Sequence, residues 1–168
     1  MQDYTLVIID MQPEFAAAEC VDTQDAIVCE IMRARSRCQK VLIVNYNDGG
    51  QHVESIQEAL IGYEKLTYQV DKYDDDGSRQ IMDMVDMFDL ARRFRICGVN
   101  YDACVQATVA GYESKWMNEG SGTRGMINNP FNVPPSDITI VEDACNAPDD
   151  GTWDKQTQWF RTRGIAVV

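Results

Sequence analysis

Apolar runs and stretches with helical spacing alternate along this chain. Tyr4-Thr5-Leu6-Val7-Ile8-Ile9 and Lys40-Val41-Leu42-Ile43-Val44-Asn45 are continuous, β-branched segments, the pattern of strands buried on both faces. Between them, Thr23 to Cys38 sets Ala26, Ile27, Ile31 and Met32 on one side of a helix, with Asp22 or Thr23 as its N-cap. This opening stretch reads as a βαβ unit.

The alternation continues with a short helix at Val53 to Ile61 and a strand at Leu66 to Val70. A helix follows from Ser78 to Arg93, carried by Ile81, Met82, Val85, Met87 and Leu90. Phe94 to Val99 reads as a strand, Cys104 to Trp116 as a helix, Ile138 to Val141 as a strand, Trp153 to Arg163 as a helix and Ile165 to Val168 as a last strand. Such an order predicts an α/β fold: a three-layer, Rossmann-like arrangement with a mostly parallel six-stranded sheet and helices on both faces. One domain spanning 1–168 is expected, since neither an internal repeat nor a linker interrupts the pattern. Ligands of such sheets bind beyond the carboxyl ends of the strands, so functional residues are expected just after strands. Gly120 to Pro135, rich in Gly, Asn and Pro, is the one long irregular segment and reads as a lid or excursion.

Composition narrows the function classes. With 45% hydrophobic and 25% charged residues the chain has the make-up of a globular protein with a core. The 27 acidic residues against 15 basic ones leave a formal charge of -12, which repels phosphate backbones and anionic lipid and argues against nucleic acid as a partner. Neither a leader with a basic start nor an apolar stretch of roughly 20 residues is present, so no membrane association is expected. Six cysteines without a CxxC pair favour reduced thiols and a cytoplasmic location.

Three residues carry the candidate chemistry. Asp10 ends the first apolar strand, where burial can raise a carboxyl toward the range of a working base; an Asp capping a turn before Pro13 would look the same. Cys104 follows the strand ending at Val99, near a helix start, where unpaired amides and the helix dipole lower a thiol pKa and can hold an oxyanion. Most of the other five cysteines read as buried structural thiols. His52 is the only histidine, so a Cys-His pair is hard to build and a carboxylate is the economical base. Lys72, after the third strand, could lower the thiol pKa and keep Asp10 ionised, although a lone lysine is more often a solvated one.

Together these segments resemble the isochorismatase-like hydrolases, the family of nicotinamidases, carbamoylsarcosine amidases and related ureido and biuret amidases. Ile8-Ile9-Asp10-Met11-Gln12-Pro13-Glu14-Phe15 is similar to the family's first-strand motif, and Cys97-Gly98-Val99-Asn100-Tyr101-Asp102-Ala103-Cys104-Val105-Gln106-Ala107-Thr108 to its nucleophile motif. Val141-Glu142-Asp143-Ala144-Cys145 looks like the segment after the fifth strand. The resemblance implies Cys104 as nucleophile with Asp10 and Lys72 as partners, Lys72 being preferred over nearby Lys65. It also implies a cis Val99-Asn100 peptide, an oxyanion hole from the amides of Asn100 and Cys104, and a homo-oligomer, a dimer or larger. The activity implied is hydrolysis of a small amide or ureido substrate through a thioester. Phe15, Tyr46, Asn100 and Tyr101, by their places in the motifs and at strand ends, are candidates for the substrate pocket.

The departures from the family set limits. Its metal-binding members use an aspartate and histidines after the second strand; here that region reads Asn45-Tyr46-Asn47-Asp48-Gly49-Gly50-Gln51-His52. One histidine cannot complete such a site, so neither a metal nor another cofactor is expected; Asp48 and His52 could still be two weak ligands, but the favoured reading is a solvated loop. Gly120 to Gly125 matches GxGxxG only literally, lacking the strand-to-helix context. Asp74 to Asp76 reads as a solvated acidic loop without EF-hand spacing, and Trp153 and Trp159 as core or interface aromatics. A competing class remains open: a small-molecule-binding or sequestering protein that keeps the fold without turnover. A thiol redox role would need a resolving cysteine, and Cys97 on the preceding strand reads as too distant.

Overall fold

A computed structural model describes residues 3–47, 50–111, 124–148 and 153–168. The strands are β1 (Thr5–Ile9), β2 (Lys40–Tyr46), β3 (Thr67–Lys72), β4 (Phe94–Val99), β5 (Ile138–Asn146) and β6 (Ala166–Val167). The α-helices are α1 (Val21–Ser36), α2 (Glu54–Leu60), α3 (Ser78–Phe88), α4 (Gln106–Ala110) and α5 (Trp153–Arg161). The strands form one sheet in the order β3-β2-β1-β4-β5-β6, with every pairing parallel. The expected three-layer α/β architecture is therefore present.

Central position explains the continuous apolar runs. Successive strand residues face opposite sides of a sheet, and every residue of β1 is fully buried, so both faces are covered. Phe94, Ile96, Cys97 and Val99 of β4 are fully buried as well. Gly98, in between at φ +123°, lies tight against β1: a Cβ there would lie 2.1 Å from the Ile9 carbonyl oxygen. Only a residue without a side chain admits that approach.

The helices differ from the sequence expectation at their ends. α1 begins at Val21, with Cys20 at the N-cap and no side-chain cap, so neither Asp22 nor Thr23 fills that role. α3 stops at Phe88 because Asp89 turns left-handed, φ 50°, releasing the chain toward β4 earlier than Arg93. The helix expected from Cys104 is divided: Tyr101–Val105 form a π turn and only Gln106–Ala110 are α-helical, with Gly111 at φ 69° ending the element. Residues 112–116 of that expected helix lie outside the described residues.

The strand order reverses direction about β1, whose neighbours are β2 on one side and β4 on the other. That crevice at the carboxyl ends is where a ligand reaches several strand ends at once. Asp10, Tyr46, Lys72 and the loop after Val99 all emerge there.

Candidate active site

Asp10 is the first residue after β1. Its amide donates to the Val44 carbonyl at 2.8 Å, extending the β1–β2 ladder, and its φ of 53° turns the chain away from the sheet. Lys72 is the last residue of β3, paired in register with Tyr46. These two strand ends bring the Lys72 Nζ to 2.9 Å from Asp10 Oδ2, with both side chains at 0% exposure. The same Nζ donates to the Asp74 carbonyl at 2.9 Å and sits 4.7 Å from the centre of the Tyr46 ring. A buried ammonium is thus met by a carboxylate, a carbonyl and an aromatic face, as burial of a charge requires.

Gly77 completes the enclosure. A Cβ on it would stand 3.0 Å from Lys72 Cδ and 3.2 Å from Val44 Cγ1, so its absence leaves room for the lysine stem.

Cys104 lies inside the π turn after β4, a local widening of the helix that is common at functional sites. The turn closes on Asn100, whose carbonyl accepts from the amides of Ala103 and Val105, both at 3.1 Å. The Val99-Asn100 peptide is cis, at the bond the resemblance implied. Buried on this turn, the thiol lies beside Asp10, close enough for each to shift the other's titration. Burial raises the Asp10 carboxyl above the ordinary carboxylate value, with Lys72 opposing.

The thiol differs from the sequence expectation. Burial first, then the Asp10 carboxylate, push it up to about 12, against the pull of Lys72. Near the helix start a depressed value was expected; desolvation and negative neighbours outweigh that position. The resting Cys104 side chain is a neutral thiol, and its ionisation requires a proton acceptor at contact.

One neighbour of the thiol is missed by the sequence reading. Asp75 Oδ1 accepts from Cys104 Sγ at 3.6 Å. The acidic triplet is not simply a solvated loop, because each member has a structural task. The Asp74 carbonyl holds Lys72, and Asp75 bonds the thiol while its carbonyl accepts from Thr108 Oγ1 at 3.3 Å. Asp76 accepts from the Ser78 amide at the start of α3 and from the amides of Arg124 and Gly125, at 2.8, 2.9 and 2.9 Å. Thr108 in turn accepts from the Gly77 amide at 2.9 Å. The signal that could have found Asp75 is its spacing from Lys72: three residues beyond a strand end, the chain can fold back over the same crevice.

The pocket candidates divide. Phe15 and Tyr46, both half-buried, meet edge to face with ring centres 6.1 Å apart beside the Lys72 ammonium. Gln12, fully buried, fixes Tyr46 by accepting from its amide at 2.7 Å and donating to its carbonyl at 3.2 Å. Asn100 is half-buried and its Oδ1 has no hydrogen-bond partner among the described residues. Tyr101 is different: its ring is fully buried against Trp153 and Phe160, at 5.0 and 5.5 Å, and its hydroxyl meets Thr157 Oγ1 at 3.0 Å. Tyr101 therefore anchors the π turn to α5 and is not a wall of the crevice. Trp153 serves that anchor, while Trp159 packs on Phe160 under the Arg163 guanidinium.

His52 is buried, its pKa lowered by burial against a hydrogen bond to Gln69 and the charge of Asp71. It is not part of a solvated loop. Asp48 lies outside the described residues, as do residues 120–123 of the expected lid, whereas 124–135 pack on α4 through bonds from Met126 and Ile127 to Thr108 and Val109. Among the described residues no group of three or more His, Cys, Asp or Glu is placed to hold a metal ion. No described helix is long and apolar enough to cross a membrane.

No family model matches this sequence, and no curated protein matches it. Solved structures do. The nicotinamidase SaPncA of Staphylococcus aureus matches over 100% of both chains with 13% identity and a TM-score of 0.69. The MAR1 ribonuclease of Caenorhabditis elegans matches over 98% of this chain and 75% of its own, at 14% identity and a TM-score of 0.70. The N-carbamoylsarcosine amidase of Thermoplasma acidophilum matches over 99% and 95%, at 18% identity and a TM-score of 0.65. With an isochorismatase family protein of Desulfovibrio vulgaris among the further matches, the chain has the isochorismatase-like fold.

Proposed function

We propose that this protein is a hydrolase of small amide or ureido compounds, with Cys104 as nucleophile and Asp10 and Lys72 as its partners. The observation that carries the reading is the convergence of three elements that share no sequence neighbourhood. The end of β1, the end of β3 and the π turn after β4 bring a buried Asp10–Lys72 ion pair beside a buried thiol. The fold shared with two amidases, by the names of those structures, agrees with it.

In this mechanism Asp10 takes the Cys104 proton as Sγ attacks the carbonyl carbon. Its raised pKa makes it a fitting acceptor, and Lys72 holds its charge before the transfer. The oxyanion is met by the backbone amides of Asn100 and Cys104. Collapse breaks the C–N bond, the leaving nitrogen takes the proton from Asp10, and water then hydrolyses the thioester with Asp10 again as base. Phe15 and Tyr46 form the apolar side of the substrate pocket.

Ammonia release tests the proposal with nicotinamide, pyrazinamide, carbamoylsarcosine, ureidoacrylate and biuret, comparing the protein with Cys104→Ala. Release that disappears in the variant is the expected result. Equal release by the variant removes Cys104 from the mechanism, and no release from any compound favours a binding protein on the same fold.

A further inference from the structure

Asp75 adds a second carboxylate to the crevice, and its position relative to the nucleophile bears on which substrates fit. Its Oδ1 lies 3.6 Å from Cys104 Sγ, whereas Asp10 is fully buried and paired with Lys72. Asp75 is half-buried, so part of it is open to solvent beside the thiol. A substrate carbonyl must come within roughly 3–3.5 Å of Sγ to react. Whatever substituent flanks that carbonyl then comes within hydrogen-bond or Coulomb range of Asp75.

The loop carrying Asp75 is tied down on two sides. The Asp75 carbonyl and the Gly77 amide both bond Thr108 Oγ1 on α4, and the Asp76 carboxylate holds the amides of Arg124 and Gly125. The charged groups that bear on the thiol are Asp10 from β1, Lys72 from β3 and Asp75 itself, one ammonium against two carboxylates. Arg124, on the adjoining loop, is exposed. Asn100, which precedes the turn carrying Cys104, has a buried Oδ1 without a partner among the described residues.

Resting on the hydrolase reading, we propose that Asp75 is a specificity-determining residue. It selects ureido or amide substrates that carry N–H donors or a positive charge beside the scissile carbonyl, and it rejects those that carry a carboxylate there. The chemistry is that of charge-assisted hydrogen bonding and like-charge exclusion in a partly dry crevice.

The test uses three compounds with one ureido head: aminoethylurea, a cation; carbamoylglycinamide, neutral; and carbamoylglycine, an anion. Ammonia release gives kcat/KM for the protein, for Asp75→Asn and for the charge-retaining Asp75→Glu. Calorimetry on Cys104→Ala measures affinity for the same three without turnover. The expected order is cation, neutral, anion, with at least about tenfold between the ends, the size of one half-screened charge contact. Asp75→Asn collapses that order and Asp75→Glu keeps it. If nothing is hydrolysed but Cys104→Ala binds in that order, and the order is lost when Asp75→Asn is added, the hydrolase reading fails and the selectivity stands. An anion accepted as well as the cation, an order that Asp75→Asn leaves intact, or binding of none of the three overturns the proposal.

Discussion

Replacing Lys72 by methionine removes one charge of a pair that is 0% exposed on both sides while keeping most of the stem volume. At 2.9 Å and an effective dielectric of about 20, the attraction lost is ~6 kcal/mol before desolvation is counted. Truncating one partner of such a pair costs about 3–5 kcal/mol net, because the other charge stays buried. Asp10 has an escape, which gives the loss a pH signature. Its folded pKa is already raised by burial, and without Lys72 it rises further, so the native state binds a proton that the unfolded state, near pKa 3.9, gives up. Stability then falls as pH increases from about 4 to the folded pKa, by up to ~1.4 kcal/mol per pH unit, and the deficit saturates above it. Urea unfolding of the protein, Lys72→Met and the double variant Asp10→Asn/Lys72→Met between about pH 5 and 8 reads this directly. The double variant is expected to regain most of the loss and to lack the slope. A deficit under about 1 kcal/mol at pH 8, or one that does not change with pH, refutes the buried ion pair as described.

Two further outcomes are expected. With its thiol pushed up to about 12, Cys104 should react slowly with iodoacetamide at neutral pH in the folded protein, and the rate should still be climbing at pH 10, beyond the ordinary thiol value of about 8.5; mass spectrometry of the Cys104 peptide follows it, and a plateau near pH 8 would contradict the assignment. His52 titrates in the opposite sense to Asp10: its folded pKa lies below the unfolded value of about 6.5, so its contribution is intact above 6.5 and is lost as pH falls below it toward the folded pKa. The stability difference between His52→Asn and the protein should shift in the variant's favour on going from pH 7 to 5, and an unchanged difference would show that the imidazole is not desolvated.

Strand identity was legible because periodicity is local. Leu6 to Ile9 and Val41 to Val44 can be apolar without alternation only if both faces of the sheet are covered, and that demand suffices to suggest a parallel, helix-covered sheet. Asp10 and Cys104 were legible as strand-end residues for the same reason. Helix ends were less so. The stop of α3 at Asp89 and the π turn at Tyr101 to Val105 depend on single left-handed or widened residues, which no hydrophobic pattern encodes.

The amino-acid order by itself determined that one carboxyl, one thiol and one lysine sit near strand ends, since position along a strand is a one-dimensional property. Only the tertiary structure decided that the three share a crevice, because the order β3-β2-β1-β4-β5-β6 is a matter of which strands pair across space. It also decided the environment of each group. Tyr101, at a motif position, turns inward to α5, while Asp75, in a run that reads as solvated acid, folds back to touch the Cys104 thiol. Charge state followed the same rule: the Cys104 thiol is raised because burial and two carboxylates surround it, and desolvation is a property of what packs around a residue, which its neighbours in sequence do not specify.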